Sequence, residues 1–310
     1  MINRSTRREF LRAVTVTGAG FTLANPLLGS PRKSVLVFTK SSGFEHDVVK
    51  RPGGQPSIVE HTITDLGKKH GFEVNSTKDG RIFDSHDFRE HEAVLFFTTG
   101  DLTNPGTDKN PPMTPRGKQA LLDAVHEGLG FVGVHAASDT FHTLPDPEDR
   151  SNRYIAHGPQ SDPYLRMLGG EFIVHGSEPR LQTAQLIVHD PNFPGLEGVS
   201  SPVSFNEEWY SLKDFAPDLH VVLTIDTKDL RGECYQRPPY PVTWVREHGI
   251  GRVFYTAIGD RPENWRLGFF LNLLGGGIRW TLGEATAELS PDLAKASPGY
   301  AQIPPKPQMK

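Results

Sequence analysis

Gly130-Phe131-Val132-Gly133-Val134-His135-Ala136-Ala137-Ser138-Asp139 is the stretch that decides the fold. A short apolar run ends in small residues, and three polar groups, His135, Ser138 and Asp139, stand where a strand must stop. In open α/β sheets ligands bind in the crevice beyond the carboxyl ends of the strands. The stretch therefore predicts a strand over 131–135 with His135 at its tip, facing a crevice. A lone His there is equally a turn cap. With Ser138 and Asp139 on the same turn, the reading leans to a site.

Working outward, 34–39 is continuous, apolar and β-branched, the pattern of a strand buried on both faces. A loop follows with Gly43-Phe44-Glu45-His46 near its start. The spacing predicts a helix over 58–70 with Ile58, Thr62, Ile63 and Leu66 inward, stopped by Gly71. Strands are expected over 72–76 and 93–98. Thr114-Pro115 places a cap and a first-turn proline before a helix that Gly128 ends. This β-α-β-β-α-β order predicts an open, mostly parallel, doubly wound α/β sheet. After Asp139 the rhythm loosens. A short helix over 164–168 precedes the segment 171–175, and strands are expected over 182–189, 220–225, 241–246 and 251–256. A closing helix is expected over 265–282. Residues 31–283 read as one domain with an elaborated C-terminal half, and 284–310, with five prolines, as an extended arm.

The chain has 310 residues, 36% apolar and 23% charged, with a formal net charge of −4. That balance leaves no electrostatic footprint for nucleic acid, and no run is long and apolar enough to span a bilayer. The single Cys234 excludes an intramolecular disulfide and any multi-cysteine metal centre. Thr6-Arg7-Arg8-Glu9-Phe10-Leu11-Arg12, followed by a weakly apolar stretch over 13–28, resembles a twin-arginine export signal. Residues 1–30 are thus expected to direct the chain to the periplasm or beyond. Thr22-Leu23-Ala24 marks cleavage poorly, so retention as an anchor stays open.

Five segments in order resemble the ThuA-like family, named for a trehalose-utilisation protein, from Val35 to Gly283. They are the opening strand with Gly43-Phe44-Glu45-His46, the turn from Gly133 to Asp139, Gly169-Gly170-Glu171-Phe172 with His175, Glu207-Glu208-Trp209-Tyr210, and Gly251 to Thr256. The chain departs from the family at Ile258-Gly259-Asp260, where a His is usual. The resemblance implies a flavodoxin-like sheet of the class I glutamine amidotransferase-like superfamily and a part in disaccharide or glycoside catabolism, a route that can run through 3-keto sugars. It implies no glutaminase activity. That chemistry needs a Cys on the strand-to-helix elbow, where this chain has His135-Ala136-Ala137.

The chemistry that remains centres on His46, His135 and Glu208 as catalytic acid/base groups suited to near-neutral pH. Phe44, Ser138, Asp139, His175, Glu207, Trp209, Tyr210 and Asp260 are the candidate substrate contacts. One of the two adjacent glutamates is expected to be plain solvated charge, and Trp209 and Tyr210 serve as well for core as for stacking on a sugar. Asp260 either faces the crevice, raising the pKa of a nearby His, or turns outward to Arg261. His46, His135, His175 and Glu208 are zinc or manganese ligand types without i, i+4 spacing, so a divalent metal stays open. Three functions compete: a carbohydrate-processing hydrolase, lyase or isomerase; a metal-dependent hydrolase; and a non-catalytic sugar-binding or assembly domain. The expected partner is a small carbohydrate. Replacing Arg7-Arg8 by Lys-Lys is expected to keep the protein in the cytoplasm, measured by fractionation; unchanged periplasmic recovery would refute the export reading.

Overall fold

The apolar run after Lys33 forms β1 (Ser34–Phe38), buried from Val35 onward, in a computed structural model that describes residues 32–143 and 150–306. The twin-arginine-like segment lies outside the described residues. After β1 come α1 (Ile58–His70), β2 (Glu73–Thr77), β3 (Ala93–Phe96), α2 (Pro115–His126) and β4 (Gly130–Val134). The second half supplies α3 (Pro163–Leu168), β5 (Glu171–His175), β6 (Gln182–Val188), β7 (Val203–Glu207) and β8 (Tyr210–Lys213). It continues through β9 (His220–Asp226), β10 (Tyr240–His248), β11 (Gly251–Thr256), α4 (Gly268–Thr281) and α5 (Leu293–Ala296).

Nine strands form one sheet in the order β2-β1-β3-β4-β11-β10-β9-β6-β7, while β5 and β8 pair separately. The five strands from β2 to β11 run parallel, and the rest extend the sheet antiparallel. A parallel 2-1-3-4-5 order is the flavodoxin-like one, with its switch point between β1 and β3. Right-handed crossovers from β1 to β2 and from β3 to β4 run in opposite directions, which puts α1 and α2 on opposite faces. α4 packs beside α1, and α3 beside α2.

Local chemistry sets the boundaries. Ser57 and Glu60 close a capping box on α1, and Gly71 ends it at φ 90°. The buried stripe is Val59, Ile63, Leu66 and Gly67, so Ile58, expected inward, is turned out and 36% exposed. It stands one residue, about 100°, off that stripe. The fourth strand stops at Val134 because His135 takes φ +46° and opens a 3-10 turn. The closing helix begins only at Gly268, since Leu267 is extended and 262–266 is a separate 3-10 turn. The tail does not stay extended: α5 interrupts it, Leu293 is buried, and the Asp292 carboxylate accepts from Val221 N on β9. No described helix is long and apolar enough to cross a membrane.

The triple glycine of α4 is a packing device. A Cβ at Gly276 would lie 1.7 Å from the Pro194 carbonyl oxygen, and one at Gly277 2.7 Å from the Phe254 ring. Gly276→Ala is expected to cost about 1–3 kcal/mol through overpacking, read as a lower urea midpoint. An unchanged midpoint would show that the helix has room to shift.

Candidate active site

Beyond the carboxyl ends of the parallel strands lies an open cleft of about 1570 Å³. Its floor is built by four short segments. His46 follows β1 on a loop pinned by Gly43 N to Thr99 O and by Thr99 Oγ1 to Phe44 O. His135 occupies the elbow after β4. Glu208 sits at the corner between β7 and β8, and Asp260 follows Gly259, whose φ of 150° lets the chain leave β11.

These four side chains are all buried, and their ligand-type atoms lie within 4.8 Å of one another. The His46 and His135 rings are 5.2 Å apart and edge-on. His135 Nδ1 is 2.8 Å from the Ala257 carbonyl oxygen, so Nδ1 donates and Nε2 faces Glu208 Oε2 at 3.5 Å. His46 Nε2 lies 3.3 Å from the Tyr210 hydroxyl. Arg180 Nη1 donates to Glu208 Oε1 and to Asp260 Oδ2, each at 2.8 Å.

Burial and charge act in opposite directions here. Burial, aided by His135, drives the His46 pKa down to about 3. Burial also opposes charge on His135, but the carboxylates of Glu208, Glu207 and Asp260 outweigh it and raise its pKa to about 9. Burial pushes Glu208 up, yet His135, His175 and Arg180 bring it down to about 2. Glu207 is raised by burial although it accepts from Glu208 N, Gly259 N and Asn264 Nδ2.

The rim is aromatic. Phe44 is 69% exposed with its ring 5.0 Å from that of His46, and Tyr210 packs on Phe172 at 4.1 Å. His175 stacks over Tyr210. Beside Phe172, His142 is held between two acids, with Nε2 2.6 Å from Asp139 and Nδ1 3.1 Å from Glu171.

Of the residues singled out from the sequence, Phe44, His46, Asp139, His175, Glu208, Tyr210 and Asp260 line the cleft, and His135 lies directly behind them. Ser138, Glu207 and Trp209 do not reach it. Ser138 bonds the Tyr255 hydroxyl, Glu207 clamps the 259–264 turn, and Trp209 donates from the core to Gln182 O. Asp260 faces the cleft and pairs with Arg180, while Arg261, at the cleft's edge, bonds Asn206 and pairs with Glu263 rather than with Asp260. Sequence reasoning missed Arg180 and His142. The three-residue step from Asp139 to His142 was a usable signal; nothing local marks Arg180.

The sequence profile of the trehalose-utilisation family, ThuA, matches residues 34–281. No curated protein matches the sequence significantly. Among solved structures, a protein described as ThuA-like from Bacteroides uniformis superposes with a TM-score of 0.56 at 18% identity, over 83% of this chain and 95% of that one. Another, from Parabacteroides merdae, gives 0.52 at 16% identity, over 88% and 96%. At such identities the likeness shows the fold.

The His142 wall has a pH signature. Burial raises the Glu171 carboxyl, but His142, Lys213 and Thr143 more than offset it and hold its pKa at about 2, down from 4.5. Its contribution to stability is therefore complete above pH 4.5 and lost as pH falls toward 2. His142 is raised, so its share is complete below 6.5 and lost as pH climbs through its elevated value. In Glu171→Gln the acid-side loss, at most about 3 kcal/mol, should disappear from urea unfolding measured between pH 2 and 4.5. Identical acid limbs in both proteins would refute the pairing.

Proposed function

Because the chain belongs to the trehalose-utilisation (ThuA) family, we propose that it processes a small carbohydrate by acid–base chemistry in this cleft. The observation that carries the reading is one juxtaposition. A half-exposed imidazole, His175, stands beside a guanidinium, Arg180, that two buried carboxylates hold in place under an aromatic rim.

His175 Nδ1 is 2.9 Å from the Gly176 carbonyl oxygen, so Nδ1 carries the proton and Nε2 is the basic nitrogen. A base so placed takes a proton from the carbon beside a sugar carbonyl. The electron pair moves onto the carbonyl oxygen, and Arg180 stabilises the charge that develops there. Returning the proton at the same or the neighbouring carbon completes an isomerisation; expelling a substituent completes a lyase step. A keto sugar suits this arrangement, because its carbonyl acidifies the adjacent C–H. Two-carboxylate glycoside hydrolysis suits it less. Glu208 and Asp260 both bond the same Arg180 nitrogen and stand on one side of the cleft, whereas that reaction needs carboxyls flanking the bond. Phe44 offers an exposed apolar ring for a sugar face.

Glutaminase chemistry has no nucleophile here. Cys234 lies buried in a 3-10 turn, and burial pushes its thiol up to about 11. Export by the twin-arginine route is proposed on Arg7-Arg8 with Phe10-Leu11 and the apolar stretch over 13–28.

His175→Gln should leave the fold intact and lower kcat on a 3-keto disaccharide by about 10²–10⁴ with little change in KM. Phe44→Ala should mainly raise KM. Exchange of the proton beside the carbonyl into D2O, followed by NMR, reads the step directly. Wild-type exchange in the His175 variant would overturn the assignment.

A further inference from the structure

We propose that His46, His135, Glu208 and Asp260 form a binding site for a first-row divalent cation at the floor of the cleft. The first ground is convergence. Four segments far apart in sequence bring two imidazoles and two carboxylates to within 4.8 Å of one another. The second is unmet valence. His135 Nε2 and His46 Nδ1 are buried and have no hydrogen-bond partner, although buried polar atoms as a rule have one.

The His135 geometry is the more telling. With Nδ1–H given to Ala257 O, the ring directs Nε2 toward Glu208 Oε2 at 3.5 Å, a gap that no hydrogen bond closes. The Glu208 carboxylate calls for positive charge at that point, supplied by a proton on Nε2 or by a bound cation, and the length of the gap separates the two. Two donors each about 2.05 Å from a tetrahedral ion stand about 3.3 Å apart, close to the separation seen. A hydrogen bond closing the same gap would be shorter, about 2.7–2.9 Å.

The surroundings orient these groups as supporting contacts orient metal ligands. Ala257 O fixes the His135 tautomer. Arg180 takes Glu208 Oε1 and Asp260 Oδ2, so Glu208 Oε2 and Asp260 Oδ1 remain for the ion. Glu208 N is held by the Glu207 carboxylate. Two nitrogens and two oxygens with no thiolate select zinc or manganese over soft ions. His175, a ligand type in the sequence, is left at the wall, and Asp260 takes its place in the set. His46, Glu208 and Asp260 all border the cleft, so a bound cation would share with Arg180 the charge on a substrate oxygen. That role, though not the site itself, rests on the carbohydrate reading above.

The test uses the purified full chain, stripped with chelator and titrated calorimetrically with Zn²⁺ and, separately, Mn²⁺. One ion per chain is expected for at least one metal, with affinity reduced about 100-fold or more in His46→Ala and in Asp260→Asn. Both positions border the cleft, and thermal melts of the stripped variants show whether they fold. Cobalt substitution should give a visible absorption band that both variants lose. Absence of binding to wild type, or binding that both folded variants retain, overturns the proposal. Sugar binding by the stripped protein, followed by NMR, is a separate readout, so failure of the carbohydrate reading leaves the metal result standing.

Discussion

The buried contact of His135 Nδ1 with the carbonyl of Ala257, 2.8 Å long, ties the ends of β4 and β11 where the crevice opens. It depends on a residue held at φ +46°, a conformation that costs a non-glycine residue about 1–3 kcal/mol. The surroundings hold it there. Tyr255 donates its hydroxyl to His135 O, Ser138 bonds that same hydroxyl, and the Tyr210 ring packs on the imidazole at 4.0 Å. Had His135 continued the strand, its ring would have taken the next place in the pleat, among the residues packed against the helices. The strained turn sends it to the strand tip and, through Ala257, fixes which nitrogen faces the acids.

The two glutamates come from the other end of the sheet. β7 lies four strands from β11, which in a flat sheet is about 19 Å. Yet the Glu207 carboxylate bonds Gly259 N, three residues past the end of β11. Three residues of chain span at most about 10 Å, and a glutamate side chain adds only a few more. The antiparallel half must therefore coil back toward the carboxyl ends of the parallel half, in the sense that twisted sheets take. Glu207 is the clasp of that coil, with three donors on one buried carboxylate. The clasp leaves its neighbour Glu208 directed to the floor of the cleft.

That division of labour explains what the sequence could and could not reveal. The parallel half was legible because its signals are local: the apolar run of β1, the Ser57 cap and Gly71 stop of α1, and Thr114-Pro115 before α2. β7 and β8 were not, because their reasons are distant. Val203-Ser204-Phe205-Asn206-Glu207 is half polar, and Lys213 is buried on β8 only because Glu171 and the Ile155 carbonyl receive it. In the site, residue type was legible and direction was not. Glu207 and Glu208 are indistinguishable in a string, and the backbone points one to the turn and the other to the cleft. Ser138 turns inward for the same reason, and Trp209 takes the core place that was one of its two readings. Arg180 was invisible because its two carboxylate partners lie 28 and 80 residues away.

Asp260 shows how charge follows from such placement. A His is usual here in the resembling family, and a neutral imidazole would ask nothing of its surroundings electrostatically. An aspartate adds a second negative charge within reach of Glu208, in a buried position where two unscreened carboxylates cannot both persist. Arg180 meets part of that demand by bonding both acids through one nitrogen. It does so from the cleft side, with its side chain half exposed, while His135 Nε2 and His46 Nδ1 on the inner side have no hydrogen-bond partner. Positive charge at the inner position, whether a proton on His135 or a bound cation, is thus required by the exchange itself. The residue that departs from the family is the one that makes this floor most demanding of a cation.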